Sequence, residues 1–176
     1  QVAKKYFNSE PIFDFTAMWI LTSFLNKKDS KEAAQFFHFD LERPKWLKIF
    51  IYLTDVDESK APHTYIEGSH KTDSKPSQLL KKGYVRLEDS EVNEFYKQES
   101  VKEITGKKGT VFIGDTKCWH KGGNLRDGKR IILQLEFSSS LFGVNQPKFR
   151  VKNPSKIFKE FISANKIFAR NINMNF

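Results

Sequence analysis

The stretch Trp46-Leu47-Lys48-Ile49-Phe50-Ile51-Tyr52-Leu53 carries the strongest strand signal in this chain of 176 residues. Aromatic and β-branched residues favour extended backbone. Because apolar residues occupy nearly every position, rather than every second one, the run is typical of a strand buried on both faces. We therefore expect it to lie in the centre of a sheet.

Shorter strand signals lie on either side of this run, and Gly, Pro or charged turns bound most of them. They cover the first half of the apolar run Phe13–Leu25, the segment Ala33–Asp40, and the runs His63–Ile66, Val101–Ile104, Thr110–Ile113 and Arg130–Phe137. With little helix between them, these strands predict a mainly β fold, a sandwich or jelly roll rather than a βαβ fold.

A few helices are expected to flank the strands. The polar segment 71–99 is interpreted as an insertion over the surface, with a helix from about Ser90 to Gln98. A C-terminal helix is predicted from Pro154 to about residue 170, with Asn153 as its N-cap and Pro154 in the first helical position. The apolar stripe of that helix is predicted to pack on the sheet and comprises Ile157, Phe158, Phe161, Ile162 and Phe168.

The composition predicts one domain that spans residues 1–176. Hydrophobic residues make up 39% of the chain, which is ample for a core. The single cysteine, Cys118, cannot form an internal disulfide, so a reducing, cytoplasmic setting is expected, with Cys118 as a small buried residue. No apolar run reaches the ~18 residues of a membrane span. Since Gln1 stands where Met would start a native chain, we expect the native N-terminal segment to be truncated.

The chain is basic, with a formal net charge of +9. Such a charge could attract nucleic acid, anionic lipid or an acidic substrate. The lysines and arginines are scattered, however, and the sequence has no signature of a nucleic-acid-binding module. We therefore expect no specific nucleic-acid partner, but a small-molecule substrate, for which an anion would fit the net charge.

His38 and Asp40 are the first candidates for a metal site. Residues two apart in a strand lie on one face, about 7 Å apart along it, so both side chains can reach one ion. A second histidine, His120, follows some eighty positions later, next to Trp119. Two histidines and one carboxylate form a triad that leaves one face of the metal open. A lone histidine on an apolar strand is more often structural, so the prediction depends on whether the three side chains converge.

Four segments of the chain, in this order, resemble the phytanoyl-CoA dioxygenase-like family. They are His38-Phe39-Asp40, the strand Trp46–Val56, the segment Ala61-Pro62-His63-Thr64-Tyr65-Ile66-Glu67-Gly68-Ser69-His70, and the stretch from Gly109-Thr110-Val111-Phe112 through His120 to Arg130. The resemblance spans about residues 10 to 138. Each segment alone would be a weak signal, but their order and intervals together are specific.

The resemblance implies a double-stranded β-helix, which is a jelly roll, that binds Fe(II) and uses 2-oxoglutarate and O2 as co-substrates. His38, Asp40 and His120 match the family's iron ligands. Arg130 matches the arginine that pairs with the distal carboxylate of 2-oxoglutarate. A permanently charged, bidentate side chain is also what a buried carboxylate needs. The hydroxyl groups of Thr64 and Tyr52 are further candidates for contact with that carboxylate.

The activity that the resemblance implies is hydroxylation of a small organic substrate, with release of succinate and CO2. Asp40 favours hydroxylation over halogenation, because halogenating relatives lack that carboxylate. No catalytic residue beyond the metal ligands is predicted, and His63 and His70, each near a turn, are expected to have hydrogen-bonding roles. The alternative is a non-catalytic or differently metallated, cupin-like jelly-roll binding protein, although typical cupin sites use more histidines and a Glu.

Overall fold

The structure is a computed structural model that describes residues 1–23, 34–41, 43–123, 125–140, 149–166 and 172–174. In chain order its helices and strands are α1 (Val2–Phe7), β1 (Ile12–Thr22), β2 (Trp46–Tyr52), β3 (His63–Ile66), α2 (Ser77–Leu80), α3 (Asp89–Asn93), β4 (Val101–Ile104), β5 (Val111–Gly114), β6 (His120–Lys121), β7 (Lys129–Ser138), β8 (Phe149–Val151), α4 (Lys156–Ala164) and β9 (Ile172–Met174).

Two antiparallel sheets form the body of the protein. The larger has four strands in the order β1-β7-β2-β5, and the smaller has three in the order β4-β3-β6. This arrangement is a jelly roll and confirms the mainly β prediction. Strands β8 and β9 add a small parallel pair.

Strand β2 lies between β7 and β5, as its apolar sequence predicts. Phe50 and Tyr52 on its inner face contact His63 and Ile104 of the smaller sheet. Because alternate residues of a strand share a face, Lys48 projects towards the same space between the sheets. A lysine is thus buried in the most apolar strand of the chain.

The polar segment 71–99 contributes to the core as well as to the surface. Leu79, Leu87 and Val92 of this segment are buried against Phe37 and Trp119. The segment predicted as a surface insertion is thus mostly exposed but also buries three side chains in the core. Trp119 is fully buried in the same cluster.

The structure corrects two predicted elements before β4. Within Ala33–Asp40, of which residue 33 lies outside the described residues, only Phe37 and His38 form β-bridges, and these are isolated ones. The helix predicted at 90–98 is shorter, because it ends at Asn93. A capping box between Glu88 and Glu91 starts it at Asp89, one residue earlier than predicted.

The C-terminal helix α4 begins later than predicted. Asn153 has a left-handed backbone (φ 49°) and so lacks the extended conformation of an N-cap. Ser155 is the N-cap instead, and its hydroxyl accepts a hydrogen bond from the Phe158 N–H. Ile162 is buried, but Ile157 and Phe161 are exposed, so the predicted packing of the whole stripe was wrong. Residues 167–170, including Phe168, lie outside the described residues. Of the helices in the described ranges, none has the length and apolarity to cross a membrane.

Replacement of Tyr52 by Phe is expected to destabilise the protein by about 1–3 kcal/mol, because two buried backbone groups lose a partner. The Tyr52 hydroxyl donates to the Ile104 carbonyl (2.7 Å) and accepts from the His63 N–H (3.0 Å). Urea unfolding measures the change. Tyr65→Phe is the control and should cost less than about 0.5 kcal/mol, since no hydroxyl contact of Tyr65 is found among the described residues. Equal losses in the two variants would contradict the prediction.

Candidate metal centre

His38, Asp40 and His120 converge, as the sequence predicts. Their candidate ligand atoms all lie within 4.8 Å of one another. Oδ1 of Asp40 is 3.9 Å from Nε2 of His38, and Oδ2 is 3.7 Å from Nε2 of His120. These separations exceed hydrogen-bonding distance, so the three groups surround a common point rather than pairing directly.

Backbone pairing holds the two histidines side by side. The His38 N–H donates to the His120 carbonyl at 3.0 Å, and the reverse bond is 2.8 Å long. Directly opposed residues bring their side chains close together, and here the ring centroids are 4.3 Å apart. Asp40 is anchored separately, because its N–H donates to the Thr116 carbonyl at 2.8 Å.

Carbonyl contacts set the tautomer of both imidazoles. Nδ1 of His38 lies 2.9 Å from the Phe36 carbonyl, and Nδ1 of His120 lies 3.0 Å from the Cys118 carbonyl. A carbonyl oxygen can only accept, so each Nδ1 carries the proton. Each Nε2 therefore keeps its lone pair and faces the other donors, as a metal ligand requires.

Burial and mutual repulsion keep both imidazoles neutral. Burial lowers the pKa of His38 below its usual value. Burial, with the neighbouring His38, lowers the pKa of His120 to about 4. Burial alone would raise the pKa of Asp40, but His120, Lys48 and Thr116 lower it to about 2. At neutral pH the triad consists of two neutral nitrogen donors and one carboxylate.

Lys48 and Glu136 complete the surroundings of Asp40. Nζ of Lys48 lies 2.7 Å from Oδ2 of Asp40 and 3.4 Å from Oε2 of Glu136. All three side chains are buried. Lys48 and Glu136 are directly opposed in the β2–β7 pairing, so the strand register places the lysine between the two carboxylates.

A cavity of about 260 Å³ opens beside the triad. Its lining combines charged and polar side chains with aromatic ones. The residues that line it include Trp19, Lys48, Phe50, Tyr84, Arg86, Gly122, Arg130, Ile132 and Gln134.

Arg130 lies in the same cavity and is buried. One of its terminal nitrogens donates to the Gly122 carbonyl at 2.6 Å, whereas its Nε has no hydrogen-bond partner in the described part of the chain. Burial lowers the pKa of its guanidinium. Gly122 permits this approach, because a Cβ there would lie 3.1 Å from a terminal nitrogen of Arg130. The cavity therefore contains a buried cation with unused hydrogen-bonding capacity.

The other two residues predicted to contact 2-oxoglutarate are buried but are not among the residues that line the cavity. The Tyr52 hydroxyl is hydrogen-bonded to the backbone of His63 and Ile104. The Thr64 hydroxyl donates to the Pro62 carbonyl at 3.1 Å. Contact of either with 2-oxoglutarate remains a prediction.

His63 and Cys118 also lie near the triad. The His63 ring packs 4.7 Å from Phe50 and 5.6 Å from His120, and burial holds its pKa well below the usual value. Burial raises the pKa of the Cys118 thiol to about 12, which suits an unreactive thiol. His70 is exposed in a turn outside the cavity.

Four charged or aromatic residues of the site were not predicted. Lys48 and Glu136 stand within strongly apolar strands, and this placement is the signal that could have found them. Tyr84 and Arg86 come from the segment regarded as a surface insertion, and no local pattern marks them.

The match to a family model is consistent with this geometry. The model of the phytanoyl-CoA dioxygenase (PhyH) family matches residues 3–131, which is more than half of the chain. The chain belongs to this family. No curated protein matches the chain.

Solved structures share the fold at low sequence identity. EctD from S. alaskensis, with 2-oxoglutarate and 5-hydroxyectoine, superposes with a TM-score of 0.55 at 19% identity, covering 84% of this chain and 53% of EctD. HygX from Streptomyces hygroscopicus, with iron bound, superposes with a TM-score of 0.53 at 14% identity, covering 82% of this chain and 63% of HygX. AviO1 from Streptomyces viridochromogenes Tue57 superposes with a TM-score of 0.53 at 14% identity, covering 84% of this chain and 59% of AviO1. The chain thus spans less than two thirds of the length of each.

The unfolding free energy of the metal-free protein is predicted to fall as the pH decreases from 6.5 towards 4. In this range the unfolded chain binds protons at histidines that stay neutral when folded, so acid favours unfolding. The lowered pKa of His120, about 4, corresponds to a loss on the order of 3 kcal/mol for that residue alone. Urea unfolding with a chelator at several pH values measures the slope. His120→Gln should make it shallower, and an unchanged slope would contradict the prediction.

Lys48→Met is predicted to lower the unfolding free energy of the metal-free protein by about 3–5 kcal/mol, since Asp40 and Glu136 lose their buried cation. Adding Glu136→Gln should recover part of the loss, because one uncompensated charge disappears. Urea unfolding at pH 7 compares these variants with Lys102→Met. Lys102 pairs with Glu67 at an exposed site, so its replacement should change stability by less than about 1 kcal/mol. A Lys48→Met protein as stable as the wild type would refute the role of the ion pair.

Proposed function

We propose that the chain is an Fe(II)- and 2-oxoglutarate-dependent oxygenase that hydroxylates a small organic substrate. The observation that carries the proposal is the buried Arg130, whose Nε has no partner among the described residues, in the same cavity as three converging ligands. Two imidazole nitrogens and one carboxylate suit Fe(II) and leave one face of the ion open. The family membership and the fold of the iron- and 2-oxoglutarate-bound relatives support the same reaction.

Each residue of the site has a defined task in this proposal. His38, Asp40 and His120 hold the iron, and the guanidinium of Arg130 binds the distal carboxylate of 2-oxoglutarate through paired hydrogen bonds. Phe50 and Ile132 line the cavity near these groups and exclude water. Bound iron would supply the redox chemistry that couples oxidative decarboxylation to C–H hydroxylation. In balance, substrate, O2 and 2-oxoglutarate give hydroxylated substrate, succinate and CO2.

The proposal also covers the cell compartment, the bounds of the domain and the charge of the substrate. A single cysteine, which cannot form an internal disulfide, suits a reducing cytoplasm. Residues 1–176 are proposed to act as one oxygenase domain, because both sheets contribute ligands or neighbours to one cavity. An anionic substrate is proposed in view of the net charge of +9.

Succinate formation from 2-oxoglutarate with added Fe(II) tests the proposal, since members of this reaction class turn over slowly even without the primary substrate. Asp40→Ala is expected to abolish both metal binding and succinate formation. Arg130→Lys is expected to raise the KM for 2-oxoglutarate at least about tenfold, because Lys cannot replace a bidentate pair, while metal affinity stays within about twofold.

Arg126→Lys is the matched control, because Arg126 is exposed and does not line the cavity. Its kinetics should equal those of the wild type. Metal binding without succinate formation, by wild-type protein supplied with candidate substrates, would favour the non-catalytic, cupin-like alternative instead.

A further inference from the structure

A second arginine, Arg86, lines the same cavity but is exposed at its mouth. One of its terminal nitrogens lies 3.4 Å from Nδ1 of His38. That contact is not a hydrogen bond to a lone pair, because Nδ1 carries the proton that it donates to Phe36. No carboxylate of the described residues forms an ion pair with Arg86. The guanidinium is therefore available to a ligand.

The backbone fixes Arg86 beside the metal centre. The next residue, Leu87, is buried and exchanges two hydrogen bonds with Phe37, of 3.0 Å and 2.8 Å. Phe37 in turn precedes His38, which is bridged to His120. Arg86 is thus one residue away from a ladder that also carries two of the metal ligands.

The charges in the cavity leave Arg86 without a counterpart. The two buried carboxylates Asp40 and Glu136, both in contact with Lys48, equal in number the two buried cations Lys48 and Arg130. Addition of Fe(II) and of 2-oxoglutarate, which carry opposite double charges, preserves this balance. Two carboxylates, Asp40 and Glu136, then face three cations in and beside the cavity, because Arg86 adds to Lys48 and Arg130. An anionic group of the substrate would compensate the one positive charge in excess among these five described side chains.

Aromatic side chains lie on the wall of the same cavity. Trp19 of β1 and Tyr84, two residues before Arg86, are 52% and 62% exposed. The Trp19 indole is oriented by a 3.2 Å hydrogen bond from its N–H to Gln134. Exposed aromatic faces in a cavity bind flat or apolar parts of ligands.

We propose that Arg86 is the anion-binding residue of a substrate subsite at the cavity mouth. The ligand is a small organic anion, a carboxylate or a phosphate monoester, whose flat or apolar part lies against Trp19 and Tyr84. The subsite selects the molecule that is hydroxylated, so its role in catalysis rests on the proposed oxygenase function.

Calorimetric titration of the protein with matched probes tests the subsite. The probes are phenyl phosphate, phenylacetate and the neutral benzyl alcohol, titrated into metal-free protein and into protein loaded with Mn(II) and 2-oxoglutarate. Wild-type protein is expected to bind at least one anionic probe about tenfold or more tighter than benzyl alcohol, a preference that Arg86→Gln reduces below about twofold. Arg126→Gln should retain the preference. Trp19→Leu should weaken the anionic and the neutral probes alike.

Two results would overturn the inference: no preference for an anion in the wild type, or a preference that survives Arg86→Gln. A surviving preference that is lost in Arg130→Gln would place the anion at the arginine proposed for 2-oxoglutarate. Tighter binding of phenyl phosphate than of phenylacetate, or the reverse, decides between phosphate esters and carboxylates. If the protein forms no succinate but its anion preference depends on Arg86, the oxygenase proposal fails and the subsite stands.

Discussion

The ion pair between Asp40 and Lys48 is the interaction on which the metal centre depends. A buried carboxylate is costly unless a cation and hydrogen bonds compensate its charge. Lys48 supplies the cation at 2.7 Å, and Thr116 supplies a hydrogen bond. Glu136, opposed to Lys48 across the β2–β7 pair, balances the lysine in turn. Asp40 belongs to no strand, but this ion pair ties its position to the register of β2 and β7.

The two histidines are positioned by a different device. His38 and His120 are far apart in sequence, yet mutual backbone hydrogen bonds place them opposite each other. The Nδ1–H group of each histidine donates a hydrogen bond to a carbonyl two residues earlier, and this bond orients Nε2 before any ion binds. The triad is thus preorganised by five hydrogen bonds that involve backbone groups and by one ion pair, and it needs no long strand to support it. This explains how isolated bridges suffice where the sequence predicts a strand through Asp40.

The parts of this molecule that the sequence predicts are those with a local or familiar pattern. The central strand follows from its apolar run, and the convergence of His38, Asp40 and His120 follows from their spacing and from the family resemblance. Lys48 was not predicted as a site residue, because the seven apolar residues of its segment indicate only a buried strand. A lone charged residue in a central strand nevertheless indicates a buried partner of opposite charge. Arg86 could not be predicted, because its position depends on the long-range pairing of Leu87 with Phe37. The N-cap of α4 was misplaced, because a choice between Asn153 and Ser155 rests on backbone angles that composition does not determine.

The residues around the cavity come from two kinds of structure, paired strands or bridges and an irregular connection. The ligands, Lys48 and Arg130 depend on sheet register and paired backbone, where a shift of one residue would turn side chains to the opposite face. Arg86 and Tyr84 come from an irregular connection held to the core through Leu87. Such a connection can exchange its exposed side chains without disturbing the ladder beneath it. In the proposed function, substrate preference can therefore change in this segment, while the balance of buried charge at Asp40, Lys48, Glu136 and Arg130 constrains the groups proposed to hold the metal and its co-substrate.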